Sequence, residues 1–211
     1  TEDINKMKKE SGGAITRAFR KHYLKTGEVS GKNLLALEVL KKYAQRYLDS
    51  EMALLQQHDI QVLAVEQEFR CPFPVPGLPE NTVFLKGLVD RIESVDGQIR
   101  IIDYKTGRVI PSQLRIASWE DLITDAKHSK ALQILCYAWM YSQDKGNLPI
   151  RAGIVSFKSL ERGRQWFGYK TGGRQFRESI GIEDLKAFEE SLGTLFLQLF
   201  DPAVPLVAEG P

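Results

Sequence analysis

Gly87-Leu88-Val89-Asp90-Arg91-Ile92-Glu93 and Ile101-Ile102-Asp103-Tyr104-Lys105-Thr106-Gly107 decide the fold, because Asp96-Gly97 lies at the midpoint between them. Runs rich in Val and Ile flank that dipeptide, which is the pattern of a two-residue type I′ hairpin. With the turn at Asp96-Gly97, Val95 pairs with Gln98, Ile92 with Ile101, and Asp90 falls opposite Asp103. Directly opposed side chains have Cβ atoms about 4.5–5.5 Å apart, and like charges so placed destabilise a sheet. A hard divalent cation removes the conflict, since carboxylate oxygens are the ligands that Mg²⁺ and Mn²⁺ prefer. Side chains alternate along a strand, so Lys105 shares a face with Asp103, and Leu88, Ile92, Ile99 and Ile101 are expected on that same face. The alternative is a pair of solvated aspartates with Lys105 as a passing counter-ion. Three polar residues interrupting one apolar face together weigh against it.

The 211 residues are read as one domain, with helices over 1–58, a sheet core with the hairpin and a following helix over 59–170, and a C-terminal helix and tail over 171–211. No apolar run reaches the eighteen residues a membrane span needs, and the polar start Thr1-Glu2-Asp3-Ile4-Asn5-Lys6 is unlike a signal peptide. A cytosolic protein with no membrane partner is therefore expected. Cys71 and Cys136 are far apart and only His22, His58 and His128 are present, so neither a disulfide framework nor a zinc site is suggested. A net charge of +2 does not compel a nucleic-acid reading. Local clustering matters more: Arg162, Arg164, Lys170, Arg174 and Arg177 are interleaved with Trp166, Phe167, Tyr169 and Phe176. That segment is either a strand-binding path, with Arg174 and Arg177 on phosphates and rings stacking on bases, or an edge hairpin whose aromatics pack on the sheet.

Outward from the hairpin, apolar periodicity predicts a short helix from Gly13 to about Tyr23 and a longer one capped by Ser30 and running to about Gln57. A strand from Ile60 to Arg70 follows, then a connection, Cys71-Pro72-Phe73-Pro74-Val75-Pro76, that cannot continue a central strand. Strands over 82–95 and 98–105 form the hairpin. Residues to about Ser129 make a long connection, with a helical turn near Trp119–Ile123. A helix over Lys130–Tyr141, strands over 150–158 and 164–170 and a closing helix over 184–200 complete an α/β or α+β arrangement around a mixed sheet. Gln133 and Tyr137, four apart, project from one face of their helix.

Taken together, Asp90, the Asp103-Tyr104-Lys105 run and Gln133-x-x-x-Tyr137 resemble the PD-(D/E)xK nuclease superfamily. The phrases "GLVDRIE", "IIDYKTG" and "LQILCYAW" are similar to motifs of its RecB-like exonuclease branch, in the same order. The resemblance covers about residues 60–141 well and the flanks weakly. It implies an α/β, restriction-endonuclease-like core, a central mixed β-sheet flanked by α-helices. It also implies a metal-dependent DNA exonuclease of repair or recombination, acting on DNA with a free end, within or beside a helicase. The family's acidic residue on the first strand corresponds to Glu66, in "VEQEF", with Glu68 as the competing choice. The branch usually carries a metal-binding His in an early helix; here Thr16 or Arg17 stands near that place, and His22, at least one turn later, is the remaining candidate. Many AddB-like members also bind an iron–sulfur cluster through C-terminal cysteines. None follow here, so no cluster is expected in this chain, whose two ends look like cuts within a larger protein.

On that resemblance Asp90 and Asp103 hold Mg²⁺ or Mn²⁺, with the backbone carbonyl of Tyr104 as a further ligand. Lys105 orients or deprotonates the attacking water, or steadies the phosphate. Glu66 helps to position the water, and Gln133 and Tyr137 bond the scissile or a neighbouring phosphate. The competing function is a catalytically silent nuclease-like domain that binds DNA or scaffolds a helicase. A sugar or nucleotide binder would need a phosphate-cradling glycine loop, for which Gly172-Gly173 alone is too little.

Overall fold

The computed structural model describes residues 2–24, 29–78, 80, 82–146 and 149–203. Two helices open the chain, α1 (Glu2–His22) and α2 (Lys32–Leu55). Next come β1 (Ile60–Pro74), β2 (Thr82–Val95) and β3 (Gln98–Lys105). A long connection holds β4 (Arg115–Ile116) and the four-residue α3 (Asp121–Thr124), then leads into α4 (Ser129–Lys145). The chain closes with β5 (Ile150–Ser156), β6 (Arg164–Trp166), β7 (Gly168–Gly172), β8 (Gln175–Arg177) and α5 (Ile182–Phe200).

Five strands form the central sheet in the order β1-β2-β3-β5-β6. The β3–β5 pair is parallel and the others antiparallel. A parallel pair needs a crossover connection, and α4 supplies it. Ile101 and Ile102 are consecutive and both wholly buried. Side chains that point to opposite faces are both excluded from water only if both faces are covered. Ile101 joins the core under α4 and α5 with Ile134, Ala138, Ile154 and Phe188, while Ile102 joins Val155, Leu160 and Tyr47 of α2. Each such isoleucine contributes about 1.5–3 kcal/mol by leaving water. The result is a mixed α/β sheet flanked by helices, consistent with a restriction-endonuclease-like fold.

The hairpin has the expected register: Val95 pairs with Gln98 and Ile92 with Ile101. Asp96 and Gly97 have φ of 51° and 83°, the two positive values a type I′ turn requires. Asp96 also accepts the backbone N–H of Asp59 at 2.9 Å and meets His58 Nδ1 at 2.5 Å, tying the turn to the start of β1.

Elsewhere the sequence reading needs correction. Helix α1 starts at Glu2, not near Gly13. It passes through Gly12-Gly13 because α2 holds its first half: Gln45 donates to the Lys8 carbonyl at 2.7 Å, and Lys8 meets Asp49 at 2.5 Å. Packing of this kind overrides helix propensity. Gly31, with no side-chain cap bond, occupies the N-cap position expected for Ser30. Strand β1 continues through Pro72 and Pro74, which stand opposite Phe84 and Thr82. It can do so because β1 is an edge strand, where a residue without an N–H is tolerated. The 164–170 strand is two strands, and β7 builds a small second sheet with β4 and β8. The tail over 204–211 lies outside the described residues. Among the described residues no helix is long and apolar enough to cross a membrane.

Candidate active site

Asp103 and Lys105 lie on the α4 side of β3 and meet Gln133 of α4. Lys105 Nζ lies 3.2 Å from Asp103 Oδ1 and 2.9 Å from Oδ2, and donates to Gln133 Oε1 at 2.9 Å. Gln133 Nε2 reaches Asp103 Oδ1 at 3.3 Å and Tyr137 Oη at 2.8 Å. Four side chains separated by up to 34 positions, from Asp103 to Tyr137, thus share one hydrogen-bonded cluster at the end of β3. Asp103 is 3% exposed, whereas the Lys105 side chain keeps 30% of its surface. Burial holds the Asp103 carboxyl above the usual carboxylate range; Lys105 draws it back down and the nearby Asp90 pushes it up. Burial likewise raises the Tyr137 phenol, against the hydrogen bond from Gln133.

Asp90 reaches the cluster through a distortion that nothing in the sequence announced. The β2–β3 ladder ends at Arg91 and Ile102, one residue short of the expected Asp90–Asp103 pair. Asp90 Oδ2 instead accepts the backbone N–H of Tyr104 at 2.7 Å. On the other side, the β1–β2 ladder pairs Val65 with Arg91 and Gln67 with Val89, leaving Glu66 and Asp90 unpaired between them. Glu66 has φ of 48°, a left-handed conformation that costs a non-glycine residue on the order of 1–3 kcal/mol. The faces of β2 invert at this level. Val89 packs in the core under α4, yet Arg91, two residues on, bonds Glu51 of α2 on the opposite face. A regular strand would keep them on one side. The inversion also corrects the expectation for Leu88, which is 50% exposed instead of lining the apolar face with Ile92.

Behind the site, Tyr47 of α2 grips Tyr104: their hydroxyls are 2.6 Å apart, and Arg91 Nη1 donates to Tyr47 Oη at 2.8 Å. Sequence reasoning did not find this support, because a contact across 57 positions carries no local signal. Burial, then the neighbouring Tyr104, raise the Tyr47 phenol. Gly87 has a similar hidden role, since a Cβ there would stand 2.9 Å from Tyr137 Cε1 and 2.7 Å from Met140 Cε.

The remaining candidates are dispersed. Glu66 is exposed and its side chain makes no hydrogen bond or ion pair among the described residues, although it stands beside Asp90 in the sheet. Glu68 is engaged by Lys86 at 2.6 Å. His22, on the last turn of α1, lines an apolar hollow with Phe19, Tyr43, Phe157 and Thr106, the residue after Lys105. Arg177 is ion-paired with Asp184, and Arg174 is exposed at the β7–β8 turn. The neighbouring rings are used internally: Phe167 is buried, Tyr169 stacks on Trp119 at 5.1 Å, and Phe176 lies under Arg115. Cys136 is half-buried against the core, its thiol pushed up to about 12 by burial.

The cluster suits a hard cation. Asp103 Oδ2 is buried and, apart from its ion-pair contact with Lys105, receives no aligned hydrogen bond. Among the described residues no three His, Cys, Asp or Glu side chains are grouped as a ligand set. Mg²⁺ does not require one, since it is commonly held by one or two carboxylates and keeps several waters.

The family model of the PD-(D/E)XK nuclease superfamily matches residues 3–209. The chain belongs to this superfamily. Comparison with curated proteins gave no match. Nucleases of this superfamily generally use Mg²⁺ or Mn²⁺ and bind DNA.

Proposed function

We propose that this domain is a Mg²⁺- or Mn²⁺-dependent DNA exonuclease of the RecB-like branch, acting on free ends in repair or recombination and working with a helicase. The observation that carries the nuclease reading is the cluster of a buried carboxylate, an ion-paired lysine and a glutamine–tyrosine pair, with Asp90 fastened beside it. The finer reading of branch and polarity rests on the "GLVDRIE", "IIDYKTG" and "LQILCYAW" phrases.

Phosphodiester hydrolysis needs a nucleophile and neutralisation of charge building on the phosphate. Asp90, Asp103 and the Tyr104 carbonyl would hold the metal, which when bound acidifies water and polarises the phosphoryl oxygen. Lys105 presents its ammonium to the attacking water or to the phosphate. Gln133 fixes that ammonium by accepting from it, and Tyr137 fixes Gln133 in turn. The bond network places Lys105 before substrate arrives, so little reorganisation remains for the reaction itself. Glu66, exposed beside Asp90 in the sheet, would help to order the attacking water.

The test is cleavage of end-labelled linear single- and double-stranded DNA and of closed circular DNA with Mg²⁺ or Mn²⁺, using the native chain, Asp103→Ala and Lys105→Ala. Digestion of linear DNA alone, abolished by both substitutions and by EDTA, is the expected result. Cleavage of circles would replace the exonuclease reading with an endonuclease. DNA binding without any cleavage would favour the silent, scaffolding domain.

A further inference from the structure

On the face of the sheet opposite Asp103, β3, β5 and β6 carry a second charged cluster. Arg100 and Arg151 are direct neighbours in the parallel ladder. Trp166 lies across Gly153, where a Cβ would meet its ring at 2.6 Å. The guanidinium carbons of Arg151 and Arg100 stand 4.4 Å and 5.5 Å from the indole centroid. With Arg164, and with Ser50 and His58 at the α2 end, these residues line a cavity of about 430 Å³.

The guanidiniums of this cluster are unevenly paired. Glu51 is committed to Arg91 at 2.9 Å and Arg164 at 2.7 Å, Glu93 to Arg91 at 2.6 Å and Arg164 at 3.4 Å, and Glu178 to Arg151. The Arg100 guanidinium makes no close ion pair or hydrogen bond among the described residues; it lies over the indole, with Glu93 opposite it in the β2–β3 ladder and the Asp96 charge nearby. The Nε atoms of Arg100 and Arg151 are both buried without an acceptor. Burial, then the adjacent Arg151, hold the Arg100 guanidinium below its ordinary value. Like charges on facing strand positions are unfavourable, and a buried donor without a partner costs about 1–3 kcal/mol. Glu93 and Asp96 offset the like-charge contact in part, and an anion in the cavity would offset it further.

We propose that this cavity binds a phosphate-bearing ligand of nucleotide size, at a site separate from the Asp103 cluster. Guanidinium forks match phosphate geometry in a way that an ammonium does not, and stacking on Trp166 holds two of them in place before the ligand arrives. The volume lies within the roughly 300–1,000 Å³ range of small-ligand sites. The phosphate belongs either to a free mononucleotide or to a nucleic-acid strand crossing this face.

The test uses the full chain in EDTA, with thermal shift and tryptophan fluorescence as readouts. The probes are inorganic phosphate, deoxyadenosine 5′-monophosphate and an oligothymidine without terminal phosphates. We expect saturable binding of at least one probe, weakened tenfold or more by Arg100→Leu and less by Arg100→Lys, and unchanged by Asp103→Asn. Binding of the mononucleotide identifies a free ligand, and binding of the oligonucleotide alone identifies a strand contact. Arg100→Gln keeps a long polar side chain without the charge, so it should show the same loss of binding, with its thermal melt checking that the variant is folded at the assay temperature. No binding by any probe overturns the proposal. So does binding that survives both Arg100→Leu and Arg100→Gln, or binding lost with Asp103→Asn.

Discussion

Asp90 Oδ2 accepts the backbone N–H of Tyr104 at 2.7 Å, so one carboxylate of the candidate centre is fastened to the strand that carries the other. The same bond satisfies a backbone donor at the point where the β2–β3 ladder stops. Asp90 therefore has both a structural and a chemical duty, and substitutions can separate them. Asn keeps an acceptor for Tyr104 but loses the charge. Asp90→Asn should melt close to the native chain while cleavage falls by about three orders of magnitude, the scale on which removing a key electrostatic group acts. Asp90→Ala should lose the same activity and also about 1–3 kcal/mol of stability, because the Tyr104 N–H is orphaned. Thermal melts beside cleavage assays decide this; equal melting of the two variants would remove the structural half of the claim.

Glu66 offers a test of strain at the site. Its φ of 48° suits glycine, and a glycine there relieves on the order of 1–3 kcal/mol at some cost in unfolded-chain entropy. Alanine relieves nothing. Glu66→Gly should therefore be more stable than Glu66→Ala by about 1 kcal/mol, read from urea midpoints. If the carboxylate itself orders water, both variants lose activity equally and Glu66→Gln shares the loss. Activity preserved in all three would reduce Glu66 to a backbone hinge that aims Asp90.

Much of this arrangement was legible beforehand, for physical reasons that differ by element. The hairpin register followed from Asp96-Gly97, because few dipeptides accept two positive φ values and the flanking alternation allowed one pairing. Lys105, Asp103 and Gln133 followed from strand and helix periods, and they meet. What stayed hidden depends on contacts distant in sequence. Val65-Glu66-Gln67 contains no residue that favours positive φ, so the inversion at Asp90 has no local signature. The extension of β1 through Pro72 and Pro74 depends on its being at the edge, which only the assembled strand order reveals. The basic, aromatic segment read equally as a strand-binding path or as an edge hairpin, and what separates the two lies in contacts far off in sequence: Phe167, Tyr169 and Phe176 pack internally, while Arg174 is exposed.

Burial of Asp103 gives a pH dependence whose sign can be worked out. Its carboxyl is raised above the usual range in the folded chain, so folding favours the neutral form. The neutral form's advantage is fully present below the unfolded value and is lost as pH rises through the folded value. In EDTA, Asp103→Asn should therefore gain stability relative to the native chain on going from pH 4 to pH 7.5. Lys105 offsets this only in part: its hydrogen bond and charge draw the carboxyl back down without cancelling the effect of burial. Mg²⁺ should then raise the melting temperature of the native chain at pH 7.5 but not that of the variant. A stability difference between the two chains that is flat with pH would contradict the assignment of a carboxyl raised by burial.

Gly87 ties the motif's first residue to its last. A Cβ at this position would meet Met140 Cε at 2.7 Å and Tyr137 Cε1 at 2.9 Å. The methionine end can swing aside, but the Tyr137 ring is held by its hydroxyl, which accepts from Gln133 Nε2 at 2.8 Å. Gly87→Ala should overpack this contact at a cost of about 1–3 kcal/mol, which for a domain of this size is a fall of roughly 2–10 °C in melting temperature. Displacing Tyr137 loosens Gln133 and hence Lys105, so cleavage should fall further than the loss of folded protein explains. The same substitution in a Tyr137→Phe background separates the two effects: the ring contact and its destabilisation persist, while the hydroxyl link to Gln133 is already gone. Activity in that background should then drop little beyond Tyr137→Phe alone. A full additional loss would mean that Gly87 acts through β2 and Asp90 and not through the α4 tyrosine.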